Sequence, residues 1–244
     1  MSDLNTDQHA GDMLPTAAPS TPITNKASGE LRNFAFLLLE NFSMMALTAA
    51  IDALRTANLL AESELFSYQL VSVDGASICG DLGFSAVVDA QLAELNWQQV
   101  DALVVCGGLR VDLHADAALT RFLHRPELKS LALGSLWNGV FALAHAGLLD
   151  GVPCAVHREN RASLRELFSR VDVKDRAYII HNNFFTCAGG NSSLDMMLEL
   201  IAASQGKQFV RGICDILTCD RINDAGEPAF LHASPETPLP QNLK

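Results

Sequence analysis

The chain has 244 residues, of which 49% are apolar and only 18% are charged. Average globular domains have about 25% charged residues, and this apolar content excludes a chain that is disordered throughout. The formal net charge is −11 and the basic residues form no clustered patch, which disfavours direct nucleic-acid binding. The longest apolar runs are far shorter than the ~20 residues of a membrane span, and no apolar signal segment follows Met1. We therefore expect a cytoplasmic protein without membrane contact.

The two ends of the chain differ in composition from its middle. Residues 1–31 are rich in Ser, Thr, Gly, Ala and Pro without periodicity, which predicts a disordered leader. Residues 222–244 contain four prolines and little apolar spacing, which predicts a linker or tail. The folded domain is accordingly expected over residues 32–221.

Short apolar runs alternate with segments of helical period through this domain. Strands are predicted at 33–39, 66–73, 86–88, 102–106, 130–136, 153–156 and 178–187. Helices are predicted at 44–60, 115–123, 140–146, 161–168 and 194–204, and helical spacing recurs over 209–219. Runs 101–106 and 131–136 are apolar on both faces, as parallel strands covered by helices must be. The alternation predicts an α/β fold with a mainly parallel central sheet and helices on both faces.

Ligands of open parallel sheets bind beyond the carboxyl ends of the strands. The loops expected there are 40–43, 107–110, 137–139, 157–160 and 189–192. The most informative one follows the strand that ends at Leu136, because a strand that turns abruptly into a helix exposes its turn residue. Enzymes place Cys or Ser at such an elbow as the nucleophile. This chain has Trp137 there, and an indole has no nucleophilic sulfur or oxygen.

An ordered set of motifs resembles the sensor domains of AraC-type transcription regulators whose amino-terminal half is PfpI-like, related to class I glutamine amidotransferases. The match extends from about Asn33 to Ile201. Its components are Phe36–Leu47 with Ala53–Asn58, Val104–Gly108, Leu143–Gly151 with His157, and Thr186–Gly190 with Leu194–Met197. The resemblance implies a flavodoxin-like sandwich.

The resemblance also implies what the chain has lost. Enzymes of the PfpI-like superfamily use an elbow Cys, an acidic residue early in the first helix and often a His after the next strand. The corresponding positions here are Trp137, Ala46 and His157, so only the His is retained. The implied function is non-covalent sensing of a small betaine-, carnitine- or amino-acid-like metabolite, without catalysis, cofactor or metal. The expected ligand-binding residues are Trp137, Asn138, Gly108, Arg110, His157 and Glu40.

Several of these residues could instead have a purely structural role. Trp137 could form a pocket wall or fill the core, and His157 could bind a ligand or a buried carbonyl. Arg110 and Glu40 could face a ligand or solvent. Ser192 begins an approximate capping box, which favours helix capping there.

The resemblance also concerns partners. Such regulators are typically homodimers with a helix-turn-helix domain after the sensor domain. This sequence ends at Lys244, too early to include such a domain. DNA is therefore expected as a partner only through a domain absent from this chain. The helical segment 209–219 could dock on its own domain or pair with a second copy. The competing hypotheses are a hydrolase or hydratase that uses Cys106 or Cys187, and a dimerisation module that binds nothing.

Overall fold

A computed structural model describes residues 31–219, so the predicted leader and tail lie outside the described residues except for Leu31, which is buried. The main sheet has seven strands in the order β10-β11-β7-β6-β1-β2-β5. The strands of this sheet are β1 (Asn33–Leu38), β2 (Ser67–Ser72), β5 (Ala90–Gln91), β6 (Ala102–Cys106), β7 (Ala132–Leu136), β10 (Tyr178–His181) and β11 (Phe184–Cys187). Short pairs outside it are β3 (Ile78–Cys79) with β4 (Ser85–Ala86), and β8 (Pro153–Cys154) with β9 (Asp172–Val173). Only the β10–β11 pairing within the main sheet is antiparallel, so the predicted mainly parallel sheet is confirmed.

Six α-helices cover the sheet within residues 31–219. They are α1 (Met44–Ala61), α2 (Ala117–Leu123), α3 (Val140–His145), α4 (Arg161–Leu167), α5 (Asn191–Gln205) and α6 (Lys207–Leu217). Side chains of β1 alternate between two cores, because successive residues of a strand point to opposite faces. Phe36 packs with α1, α5 and α6, whereas Leu37 packs with α2, α3 and α4. The structure therefore confirms the predicted helices on both faces.

The central strands β6 and β7 are buried along their whole length, as their continuous apolar sequences predict. Their register pairs Cys106 with Leu136, and Leu136 also pairs with Cys187 of β11. The carboxyl ends of these three strands therefore meet at one edge of the sheet. The loops that follow them are brought together above this edge.

Three predictions about local structure are wrong. The single strand predicted at 178–187 is a hairpin, because Asn182 takes the left-handed conformation (φ 52°) that Asn tolerates and the chain reverses there. The strand predicted at 86–88 shares only Ala86 with the short strand β4. The predicted capping box does not form, since α5 already begins at Asn191 and the Ser192 hydroxyl donates to the Gly189 carbonyl oxygen (2.8 Å).

Helix α6 docks on its own domain, which settles one of the two possibilities for segment 209–219. Val210, Ile213 and Cys214 are buried in the core that α1 and α5 share. Within residues 31–219, none of the helices is both long and apolar enough to span a membrane.

Candidate functional site

The turn after β7 has the strained geometry that the sequence predicts for an elbow. Trp137 has a φ of 54°, which is rare for a residue with a bulky side chain. The turn is packed tightly against the loop after β6, where a Cβ on Gly107 would lie 2.2 Å from the Gly139 nitrogen. Only glycine permits this close approach. The loops that follow β6 and β7 are therefore fixed relative to each other by backbone contact.

The Trp137 indole fills the space at the elbow. Its ring stacks on the His157 imidazole with centroids 4.6 Å apart and planes 19° from parallel. Gly189 lies so close that a Cβ there would be 2.2 Å from the indole Cε3. The indole Nε1 is buried and finds no hydrogen-bond acceptor among the described residues. Burial lowers the pKa of His157 below its ordinary value, which favours a neutral imidazole beside the indole.

Two thiols lie beneath the elbow, at the ends of β6 and β11. Cys187 accepts hydrogen bonds from the backbone N–H groups of Gly189 and Trp137 and contacts the Ser192 hydroxyl, and these contacts lower its pKa. Burial has the larger effect and raises the pKa of Cys187 to about 11. Burial likewise raises the pKa of Cys106 well above its usual range, and the neighbouring Cys187 thiol adds to this. The thiolate is the nucleophilic form of cysteine, so both thiols are poor candidates for covalent catalysis.

A second feature lies beside the elbow. It is a cavity of about 370 Å³ between the end of β1, loop 111–116, α2 and α3. Three carboxylates line it, those of Glu40, Asp112 and Asp116, and no Lys or Arg is among the described residues around it. We refer to it as the acidic cavity. Its apolar lining includes Leu119 and Phe141, and its negative charge favours a positively charged occupant.

Asn138 connects the elbow to the acidic cavity, because it follows Trp137 and lines the cavity. Only 1% of its surface is exposed. Its Nδ2 donates to the Gly108 carbonyl oxygen at 3.1 Å, while its Oδ1 is buried without a donor among the described residues. A buried carbonyl oxygen without a donor costs free energy, which the packing around Asn138 must offset.

The loop that forms the rim of the cavity is held by contacts within the chain. The His145 ring nitrogen Nε2 lies 2.8 Å from the Leu113 carbonyl oxygen. Asp116 accepts from two backbone N–H groups at the start of α2, at 2.7 and 3.0 Å. His114 contacts Asp112, and its backbone N–H has the largest part in lowering the pKa of that carboxyl group. These hydrogen bonds hold the backbone of the rim against α2 and α3.

The structure places the six predicted ligand-binding residues in different surroundings. Trp137 and His157 form the stacked pair, whereas Glu40 and Asn138 line the acidic cavity. Gly108 brings its backbone against residues 41–43, where a Cβ would lie 2.4 Å from the Asn41 carbonyl oxygen. Arg110 is exposed and lies outside the lining of the cavity.

Sequence reasoning missed the acidic segment that forms the rim. Asp112 and Asp116 follow the Gly107–Gly108 pair closely and could have been found as acidic residues beyond the carboxyl end of a parallel strand. His145 could not have been found in this way, because it reaches the loop from the second turn of a helix whose orientation depends on the whole fold.

The sequence pattern of the DJ-1/PfpI family matches residues 32–203. The chain belongs to the DJ-1/PfpI family. It is 35% identical over 211 residues to the HTH-type transcriptional regulator GbdR of Pseudomonas aeruginosa, a match that covers 86% of this chain and 56% of GbdR. It is 32% identical over 193 residues to the HTH-type transcriptional regulator GlxA of Rhizobium meliloti, covering 78% of this chain and 59% of GlxA. The chain thus spans somewhat more than half the length of these curated relatives.

Solved structures agree with this membership of the DJ-1/PfpI family. The crystal structure of an AraC family transcriptional regulator from Pseudomonas putida has a TM-score of 0.71 and 36% identity, and covers 76% of this chain and 99% of that chain. Drosophila melanogaster DJ-1beta, at 16% identity and a TM-score of 0.63, shares the fold over 78% of this chain and 100% of its own. The resemblance to AraC-type regulators that the motifs indicated is confirmed, as is the flavodoxin-like fold.

Proposed function

We propose that this chain is the ligand-sensing and dimerisation domain of an AraC-family transcriptional regulator, and that it binds a small metabolite without covalent chemistry. The observation that supports this most is Trp137 at the elbow, with φ 54° and its indole against His157. The position that would hold a nucleophile is filled by a side chain that cannot react as one. Cys106 and Cys187 do not replace it, because burial raises the pKa of both thiols.

The names of the relatives indicate how the whole regulator would contact DNA. GbdR and GlxA are named HTH-type regulators, so we propose that DNA is contacted through a helix-turn-helix domain of the whole regulator, in the cytoplasm. The described part of this chain would then supply the effector response. A ligand shifts a regulator between two states only by the difference between its affinities for them.

The proposed effector has a positively charged nitrogen, as betaine-, carnitine- and amino-acid-like metabolites have. The three carboxylates of the acidic cavity favour such a group. The proposed ligand-binding residues remain Trp137, Asn138, Gly108, Arg110, His157 and Glu40. Trp137, His157 and Gly108 would shape the elbow, and Asn138 and Glu40 would line the cavity that holds the ligand. Arg110 would reach the ligand from the exposed loop beside the cavity.

A homodimer is proposed because paired DNA half-sites require two-fold symmetry. Helix α1 exposes three large apolar side chains, namely Met45 (53%), Leu59 (59%) and Leu60 (37%). Burying such side chains against a second copy would stabilise the dimer. Sedimentation equilibrium at micromolar concentration should give twice the chain mass of 26.3 kDa, and a monomer at all concentrations would contradict the proposal.

Thermal unfolding of the chain tests the sensing function. The panel contains betaines, carnitine-like amines, amino acids and small carboxylates. A ligand at 100 times its Kd should stabilise the chain by about 2.7 kcal/mol, which is a shift of several degrees in Tm. The shift should be confined to one chemical class and should disappear on dialysis. Hydrolase turnover that is lost in His157→Ala would overturn the proposal.

A further inference from the structure

We infer that the segment that follows helix α6, residues 220–223, docks in an apolar groove between α1, α5 and α6, with Ile222 as its apolar anchor. In the proposed regulator this segment would begin the connection to the DNA-binding domain. Its docking would therefore fix the start of that connection on the sensing domain, whatever metabolite the domain binds.

The groove has a volume of about 460 Å³ and is mainly apolar. Its apolar lining comes from the three helices and from the end of the described chain, namely Met45, Ala49, Ile51, Leu194, Leu217 and Cys219. Each of these side chains is exposed or half-buried, and Met45 is 53% exposed. An apolar side chain that covers them would remove them from water, which is favourable.

The end of α6 directs the chain into this groove. Thr218 takes the left-handed conformation (φ 53°), and the backbone N–H groups of Thr218 and Cys219 donate to the carbonyl oxygens of Asp215 and Cys214 at 3.3 and 3.0 Å. A left-handed residue closed by such hydrogen bonds is a common way to end a helix. The turn places Cys219 in the lining of the groove. The chain therefore continues into the next segment from within the groove.

Ile222 is the first apolar residue after Cys219. Three residues of chain span at most about 10–11 Å, so Ile222 cannot lie farther than this from the lining of the groove. So short a tether gives the Ile222 side chain a high local concentration at the groove. A modest apolar contact is therefore enough to hold it there.

The charges around the groove fit the same segment. The groove is also lined by Asp52 and Arg55, which form an ion pair at 2.8 Å. The segment begins with Asp220 and Arg221, so it brings one charge of each sign to a rim that has one of each. Net charge repulsion therefore does not oppose docking.

The groove borders the elbow at one end of α1 and leaves the other end of this helix uncovered. A Cβ on Gly190 would lie 4.0 Å from the Met45 sulfur, and the adjacent Gly189 contacts the Trp137 indole. The docked segment would therefore share the Gly189–Gly190 turn with the elbow. Leu59 lies about 21 Å along α1 from Met45 and is outside the groove lining, so it stays available to a second copy.

Methyl NMR of the whole chain tests the docking directly. With the Ile δ1 and Met ε methyl groups labelled in a deuterated chain, we expect a nuclear Overhauser effect between Ile222 and Met45, because the two side chains would meet in the groove. A second sample mixes chains labelled only at Ile with chains labelled only at Met. The effect should disappear in this sample, because the two labelled methyl groups then belong to different copies.

Trypsin cleavage after Arg221 is a second measurement, since it releases residues 222–244 as one peptide. The protease requires the segment to leave the groove, so the cleavage rate follows the undocked population. Met45→Gln removes apolar contact from the groove and should raise this rate about fivefold. Leu59→Gln is the matched control, because Leu59 is similarly exposed (59%) on the same helix but lies outside the groove, and it should leave the rate unchanged.

Absence of the Overhauser effect between Ile222 and Met45 in the first sample would overturn the inference. Its persistence in the mixed sample would do so as well, because the groove would then hold the segment of a second copy. Equal cleavage rates after Arg221 in the wild-type chain and in both variants would also contradict docking. None of these measurements uses a metabolite, so the sensing function stands or fails separately in the thermal panel.

Discussion

The contact between Gly189 and the Trp137 indole makes Gly189→Ala a sensitive probe of how the elbow is filled. Gly189 has a φ of 94°, where an L side chain costs about 1 kcal/mol. In addition, the new Cβ would lie 2.2 Å from the indole Cε3, which must move and weaken its stacking on His157. Overpacking of this kind costs about 1–3 kcal/mol. The total loss of unfolding free energy should therefore be about 2–4 kcal/mol.

The backbone cost and the packing cost of Gly189→Ala can be measured separately within the same chain. Gly147 also has a positive φ, of 66°, but a Cβ there would meet nothing within 4 Å. Gly147→Ala should therefore cost only the backbone term of about 1 kcal/mol. In a Trp137→Ala background, Gly189→Ala should cost the same small amount, because the indole is gone. Urea unfolding followed by far-ultraviolet circular dichroism gives all three losses of unfolding free energy.

Equal losses for Gly189→Ala and Gly147→Ala would refute the packing of the indole at the elbow. An undiminished Gly189→Ala loss in the Trp137→Ala background would refute it as well, because the clash would then involve something other than the indole.

Three further predictions concern buried polar groups. At pH 7, Cys187 and Cys106 should react with iodoacetamide at least about a hundredfold more slowly in the native chain than in urea. The reason is that at a pKa of about 11 only about one Cys187 thiol in ten thousand is ionised. Fast labelling of the native chain would favour an enzyme. Burial depresses the pKa of His157 in the folded chain, so protons bind the unfolded state better and stability should fall as the pH drops below about 6.5. His157→Gln should reduce this slope and the exposed His181→Gln should not; equal slopes in all three proteins would contradict the burial of His157. The Asp101 carboxylate accepts three hydrogen bonds from N–H groups at the start of β1. Asp101→Ala should therefore lower the free energy of unfolding by about 2–4 kcal/mol in urea titrations. A loss below about 0.5 kcal/mol would contradict this.

The sequence was sufficient for the sheet and for most helices, because their signals are local. Continuous apolar runs identified β6 and β7, and helical period placed α1 within one residue of its observed end at Ala61. The elbow was also predictable, since the abrupt change from strand to helix at Trp137 is visible in the sequence. The hairpin at Asn182 was missed because the apolar pattern continues on both sides of it and only two asparagines mark the turn.

The candidate site was less predictable, because its parts come together only in three dimensions. The loop positions of Glu40, Asn138 and Trp137 were correctly predicted to lie near one edge of the sheet, but sequence alone does not say that the indole turns toward His157. The acidic cavity lies beside the elbow, and residues 112–116 of its rim belong to none of the motifs found in the sequence.

Non-covalent recognition can be tested directly by combining calorimetric titration of the panel metabolite with intact mass measurement of the chain and the metabolite. A non-covalent sensor should show saturable heat, full recovery of the free chain after dialysis, and unchanged masses for both molecules after hours of incubation. A covalent adduct on the chain, or a metabolite converted to product at a rate proportional to chain concentration, would contradict the proposed function.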